Sequence, residues 1–217
     1  MTNAQQTSDK CIWIGIGIDI DLKDKVYPQI TKLNNLLHKS HNSNYKFDLK
    51  INPPHINLYD LDIPGRNLEK ADKLLNNLTK RCISFSIEMK KLNYFKYGIV
   101  FIQCELNKQL KTLEKEVVES IVHLKNGCRT KDYWQPWRQY NNQQRNYREQ
   151  YGNPHILDAF IPHVTIGFIK EDQDKLGIIV KQLNKKFIPT TFIVKQINMA
   201  IQNSEGKTLE RRHYKFF

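Results

Sequence analysis

Cysteine is scarce and scattered in this 217-residue chain: Cys11, Cys82, Cys104 and Cys128, with no CxxC or CxxH pair. That spacing excludes a zinc finger or ribbon, and reduced thiols fit it better than a disulfide framework. Long apolar runs are missing too. The most apolar stretch, residues 11–20, is about half of the roughly 20 residues that a membrane-spanning helix needs. The opening MTNAQQTSDK lacks the basic and apolar regions of a secretory leader. The expectation is a cytoplasmic, soluble monomer with no membrane attachment. Acidic residues are short as well, 22 against 34 Lys and Arg, which leaves a formal net charge of +12. Such an excess favours an anionic partner such as a nucleotide or RNA. It also accompanies a general richness in Asn, Lys and Ile, so charge alone does not choose the partner.

What is present reads as a mixed α+β chain. Residues 11–21 (CIWIGIGIDID) are short, β-branched and apolar, as in a buried strand. The GIGID within them lacks the spacing of a dinucleotide fingerprint. Helical spacing predicts helices over 26–38, 68–80 (with Asn67 as its cap), 107–124 and 172–186. Extended segments are expected over 45–60, 82–89, 97–106, 160–170 and 190–202, and a turn at 204–207 leads to a last basic strand. Residues 125–154 have no sustained apolar period and read as a long aromatic and basic loop.

One short pattern occurs twice, about half a chain apart: Pro54-His55-Ile56-Asn57-Leu58 and Pro162-His163-Val164-Thr165-Ile166. On a strand, alternate residues share a face. His55 then lies beside Asn57, and His163 beside Thr165, while the aliphatic residues pack behind. Tyr59 has the parity of His55 and Asn57, which makes it a candidate for the same wall. Two such faces across a cleft supply an acid and a base that titrate near neutrality. Phosphodiester cleavage needs both, and Asn57 and Thr165 offer donors to the non-bridging oxygens. No metal or other cofactor is called for. The duplication suggests one domain over residues 1–217 with two related lobes.

HINLYD and HVTIGF resemble the paired H-x-(Ser/Thr)-x motifs of the 2H phosphoesterase superfamily, which includes RNA 2′,5′-ligase-like proteins and cyclic phosphodiesterases. The likeness extends over an opening strand and helix, a Pro-rich approach to the first motif, a GIVF-type central strand, and YG-x-P…F-x-PH before the second. It implies two pseudo-symmetric lobes of mainly antiparallel sheet flanked by helices, with a central cleft. It also implies that His55 and His163 are the catalytic pair and that Asn57 and Thr165 bind phosphate. Asn57 departs from the usual Ser or Thr.

Trp134, Trp137, Tyr151 and the interleaved Arg138 suit base stacking and phosphate attraction, and join Tyr59 as substrate-binding candidates. His155, eight residues before the second motif, reads as a loop residue. The expected activity is a metal-independent phosphodiesterase acting on a cyclic phosphate or on a 2′,5′- or 3′,5′-linkage in a nucleotide, cyclic oligonucleotide, 2′,5′-oligoadenylate or small RNA. The alternatives are a non-catalytic nucleotide- or RNA-binding module, which Asn57 keeps open, and an RNA end-joining ligase of the same fold.

Overall fold

The computed structural model describes residues 10–43, 45–48, 52–128, 140–203 and 207–217. Its strands are β1 (Cys11–Asp19), β2 (His55–Pro64), β3 (Phe85–Tyr94), β4 (Ile99–Cys104), β5 (His163–Phe168), β6 (Thr190–Val194), β7 (Gln196–Gln202) and β8 (Thr208–Lys215). The helices are α1 (Tyr27–His41), α2 (Leu68–Thr79), α3 (Lys108–Ile121), α4 (Asn142–Tyr151) and α5 (Gln173–Asn184). All eight strands join one antiparallel sheet in the order β6-β3-β4-β5-β2-β1-β7-β8.

The centre of that sheet is its weakest seam. β2 and β5 meet at the single pair Ile56↔Val164, the two residues that follow the repeated histidines. Outwards from it run β2, β1, β7, β8 on one side and β5, β4, β3, β6 on the other, which makes two four-stranded lobes. The repeat is therefore spatial rather than a division of the chain into halves, because β7 and β8 return to the lobe of β1. The segment 190–202, expected as one strand, is two. Its first part pairs with β3 in lobe two and its second with β1 in lobe one, and the chain changes lobes at Lys195.

Alternation on β1 decides which face is the core. Ile14, Ile16, Ile18 and Ile20 are buried, together with Ile197, Met199 and Ile201 of β7 and Leu58, Leu61 and Ile63 of β2. The helices cover this face, α2 and α3 on lobe one, α1 and α5 on lobe two. Each helix brings an apolar stripe, such as Leu110, Leu113, Val117 and Ile121 of α3. Asn107 caps α3 by accepting from Leu110 N, and Asp172 caps α5 by accepting from Lys175 N. Asn67, expected to cap α2, lies in a 3₁₀ turn and donates to Leu124 O instead.

Two expectations are corrected. Residues 125–154 are not one loop: α4 occupies Asn142–Tyr151. A capping box between Asn141 and Gln144 opens it, and Gly152, at φ 83°, closes it. Its composition hides it, because no residue of α4 is fully buried. It is held by Tyr147 and Tyr151 against the core. The thiols are not all free either. Cys11 and Cys128 form a disulfide across 117 residues of sequence, while Cys82 and Cys104 are reduced. Sequence spacing cannot reveal a pair so distant. Among the described residues no helix is long and apolar enough to cross a membrane.

Candidate active site

The Ile56↔Val164 pair fixes the geometry of the repeated motifs. Antiparallel pairing around it sets His55 opposite Thr165 and Asn57 opposite His163. All four side chains leave the sheet on the face away from Ile56 and Val164, which are fully buried. The two histidines are diagonal neighbours, a relation that places residues on the order of 7–8 Å apart.

Both imidazoles are oriented in the same way. His55 Nδ1 lies 2.8 Å from Pro53 O, and His163 Nδ1 lies 2.7 Å from Ile161 O. A carbonyl only accepts, so each Nδ1 carries the proton and each Nε2 is left to exchange one. Burial lowers the pKa of both rings. For His163 the nearby charges of His55 and His155 add to burial, and the value falls to about 4. For His55 the Asp19 carboxylate works against burial and Arg211 works with it.

A bulge follows each motif at the same place. Tyr59 pairs with Ile16 and Asn57 with Gly17, so Leu58 is the extra residue. Gly167 pairs with Val100 and Thr165 with Phe101, so Ile166 is extra. Asn34 of α1 donates to Ile166 O at 2.8 Å, which satisfies the carbonyl at the irregular position.

The first bulge corrects the placement of Tyr59. It reverses the parity, turns Tyr59 into the core at 0% exposure, and brings Asp60 to the groove in its place. Tyr59 donates its hydroxyl to Tyr151 O. The Tyr151 ring stacks edge-on with Tyr147 and packs on the core, so in this structure it supports Tyr59 rather than lining the groove. Trp134, Trp137 and Arg138 lie outside the described residues.

Asp60 is a site residue that sequence parity misses. It accepts from Asn57 Nδ2 and from Asn153 Nδ2 at 3.4 Å. Burial, reinforced by Asp62, raises it to about 6 despite the Asn57 hydrogen bond. Asp19, the register partner of His55, is a second. Its Oδ1 accepts from Arg211 at 2.7 Å, and its Oδ2 lies 3.1 Å from His213 Nε2. His155, read as a loop residue, lies close enough to His163 to lower its pKa and packs edge-on to Tyr140. Only tertiary structure brings these groups to the histidines. Among the described residues no three His, Cys, Asp or Glu side chains converge as a metal site would need.

The model of the 2′-5′ RNA ligase superfamily matches residues 22–206. The chain belongs to that superfamily, whose members are the 2H phosphoesterases expected from the repeated motif. TT0787 of Thermus thermophilus is 13% identical with a TM-score of 0.59, and 94% of this chain covers 98% of that one. LigT of E. coli in its apo form is 11% identical with a TM-score of 0.54, over 95% of this chain and 99% of LigT. LigT complexed with 3′-AMP is 12% identical with a TM-score of 0.51, over 94% and 99%. At such identities the likeness is one of fold, and it agrees with the two-lobed antiparallel α+β architecture. No curated protein sequence matches the chain.

Proposed function

We propose that this 2H phosphoesterase superfamily member is a phosphodiesterase in which His163 is the general base and His55 the general acid. The observation that carries the reading is the pair of Nε2 atoms left free for proton transfer, on diagonal positions across the seam of two lobes. His163 sits among aromatic rings, with Phe101 at 4.9 Å and Phe95 at 5.3 Å, and with two histidines as its charged neighbours. That environment keeps the ring neutral, as a base must be. His55 has the Asp19 carboxylate to favour its protonated form.

In a 2′,3′-cyclic phosphate, His163 Nε2 takes the proton of a water as its oxygen bonds to phosphorus. The bond from phosphorus to one ribose oxygen breaks, and His55 gives that oxygen its proton. The two histidines end with exchanged protonation states and reset through solvent. Thr165 Oγ and the Asn57 amide donate to the non-bridging oxygens, where charge concentrates. Asp60 accepts from Asn57 and fixes the direction of its amide, so an Asn can serve where the family pattern has a hydroxyl. Structures of the fold relative LigT complexed with 3′-AMP, ATP and NADP+ favour a nucleotide or RNA as the substrate class.

The test is product analysis over 2′,3′-cyclic mononucleotides, cyclic dinucleotides, 2′,5′-oligoadenylates and short RNAs, with and without EDTA. Hydrolysis of at least one class at an unchanged rate in EDTA is expected. Loss on chelation, restored by metal, would remove the mechanism. Tight binding without product across the panel would favour the binding module. Joined product from a cyclic phosphate end and a 5′-hydroxyl end would favour the ligase.

A further inference from the structure

The two lobes repeat each other in backbone but not in what lines the groove. Beside Thr165, the neighbouring strand presents Phe101, which packs against His163 with Phe95 4.4 Å behind it. The corresponding place beside Asn57 is Gly17, and Gly15 follows on the same face. Lobe two therefore fills its half of the groove with rings, while the matching β1 positions of lobe one carry no side chain, and the space over Gly17 is bordered by Ile56 O and Asn198 Nδ2.

Trp13 occupies the space over Gly15. A Cβ added at Gly15 would fall 2.4 Å from Trp13 Cη2 and 2.8 Å from Trp13 Cζ3, so the six-membered ring of the indole rests on the bare backbone of Gly15. Glycine is required there by this close approach. The neighbour across the next strand, Ala200, is small as well. Trp13 itself is only half-buried. The outer end of the ring meets the strand at Gly15, and the side chain as a whole keeps part of its surface open to solvent. The ring leans along β1 from Trp13 over Gly15, about 7 Å along the strand from Gly17, and Gly17 pairs with Asn57 of the first motif. The indole thus lies on the strand next to the phosphate-binding motif, on the side where a nucleoside attached to that phosphate can extend.

We propose that Trp13, on its Gly15 floor, is the stacking platform for the nucleobase of the nucleoside whose phosphate lies between His55 and His163. The inference rests on the phosphodiester reading above and adds to it a base subsite on the lobe-one side. A rigidly seated aromatic face accepts any base, because every base has a π-face. The register partners of Gly15 and Trp13 on β2 are Asp60 and Asp62, acidic positions that offer a second phosphate nothing to bind and leave the ring to an uncharged heterocycle.

Calorimetric titration with adenosine 3′-monophosphate, ribose 5-phosphate and inorganic phosphate tests it. The wild-type protein should bind the nucleotide at least about fivefold more tightly than ribose 5-phosphate, since stacking one base is worth roughly 5- to 150-fold in affinity. Trp13→Leu still covers Gly15 but has no flat face. It should lose that margin while binding inorganic phosphate as before, and Trp13→Phe should keep most of it. If Trp13→Leu does not fold, Trp13→Phe and Gly15→Ala, whose methyl would push the indole off the strand, carry the comparison. An unchanged margin in Trp13→Leu, or equal wild-type affinity for nucleotide and sugar phosphate, would overturn the subsite and leave the histidine reading standing. Failure of the wild-type protein to bind all three would sink both.

Discussion

Replacing Asp60 by Asn should make the protein more stable at neutral pH and less active. The Asp60 carboxyl is raised from its ordinary 3.8 to about 6, chiefly by burial. A group whose folded pKa lies above its unfolded one binds its proton more tightly when folded. Its contribution is fully favourable below about pH 3.8, falls as the pH rises through 6, and is then constant. At roughly 1.4 kcal/mol per pH unit the ionised form costs the fold about 3 kcal/mol. Partial exposure to solvent reduces this to about 1–2 kcal/mol. Asp60→Asn has the same shape and no charge, so that cost disappears at pH 7.5 while stability near pH 4 changes little. Urea unfolding followed by circular dichroism at both pH values measures the difference. The same substitution removes the charged acceptor that directs Asn57, and turnover should fall about tenfold, in line with the strength of a charge-assisted hydrogen bond. Equal stability differences at pH 4 and 7.5, or a variant less stable at pH 7.5, would refute the reasoning.

The kcat/KM profile should rise through about pH 4 as His163 is deprotonated and fall as His55 loses its proton below its usual 6.5. Its maximum then lies on the acid side of neutrality rather than at it, which pH-rate measurement checks. Asn57→Ala should lower kcat by about 10- to 100-fold and Asn57→Thr should restore most of it, since the position needs a donor to phosphate. Breaking the Cys11–Cys128 link by Cys11→Ser should lower unfolding stability by about 2–4 kcal/mol, because it closes a long loop. Glu114, fully buried and raised to about 7 by burial, accepts from Leu157 N. Glu114→Gln should raise stability at pH 8 by about 1–3 kcal/mol with no change near pH 4, as read from denaturant midpoints.

Most of the architecture is legible in hydrophobic period, because β1, α1, α2, α3 and α5 each bury one continuous apolar face. The histidine pair is legible for a different reason: the motif occurs twice, and strand parity alone puts His55 with Asn57 and His163 with Thr165. Parity fails at Tyr59 because a single extra residue, Leu58, inverts everything after it, and nothing local in LYD announces a bulge. α4 escapes a reading by period because it buries too little to leave one. Asp19, Asp60, Trp13 and the Cys11–Cys128 pair are brought to their places by strand order and long-range contact, which a single sequence does not display.

Turnover by the single variants His55→Ala and His163→Ala and by the double variant, on the substrate class that the wild-type protein cleaves, bears most directly on the two imidazoles sharing one phosphorus. Each single change should cost about a thousandfold or more in kcat at unchanged fold, and the double change should cost little beyond the worse single one, as for groups that act as a unit. A single variant that keeps near-wild-type turnover, or costs that simply multiply in the double, would contradict it.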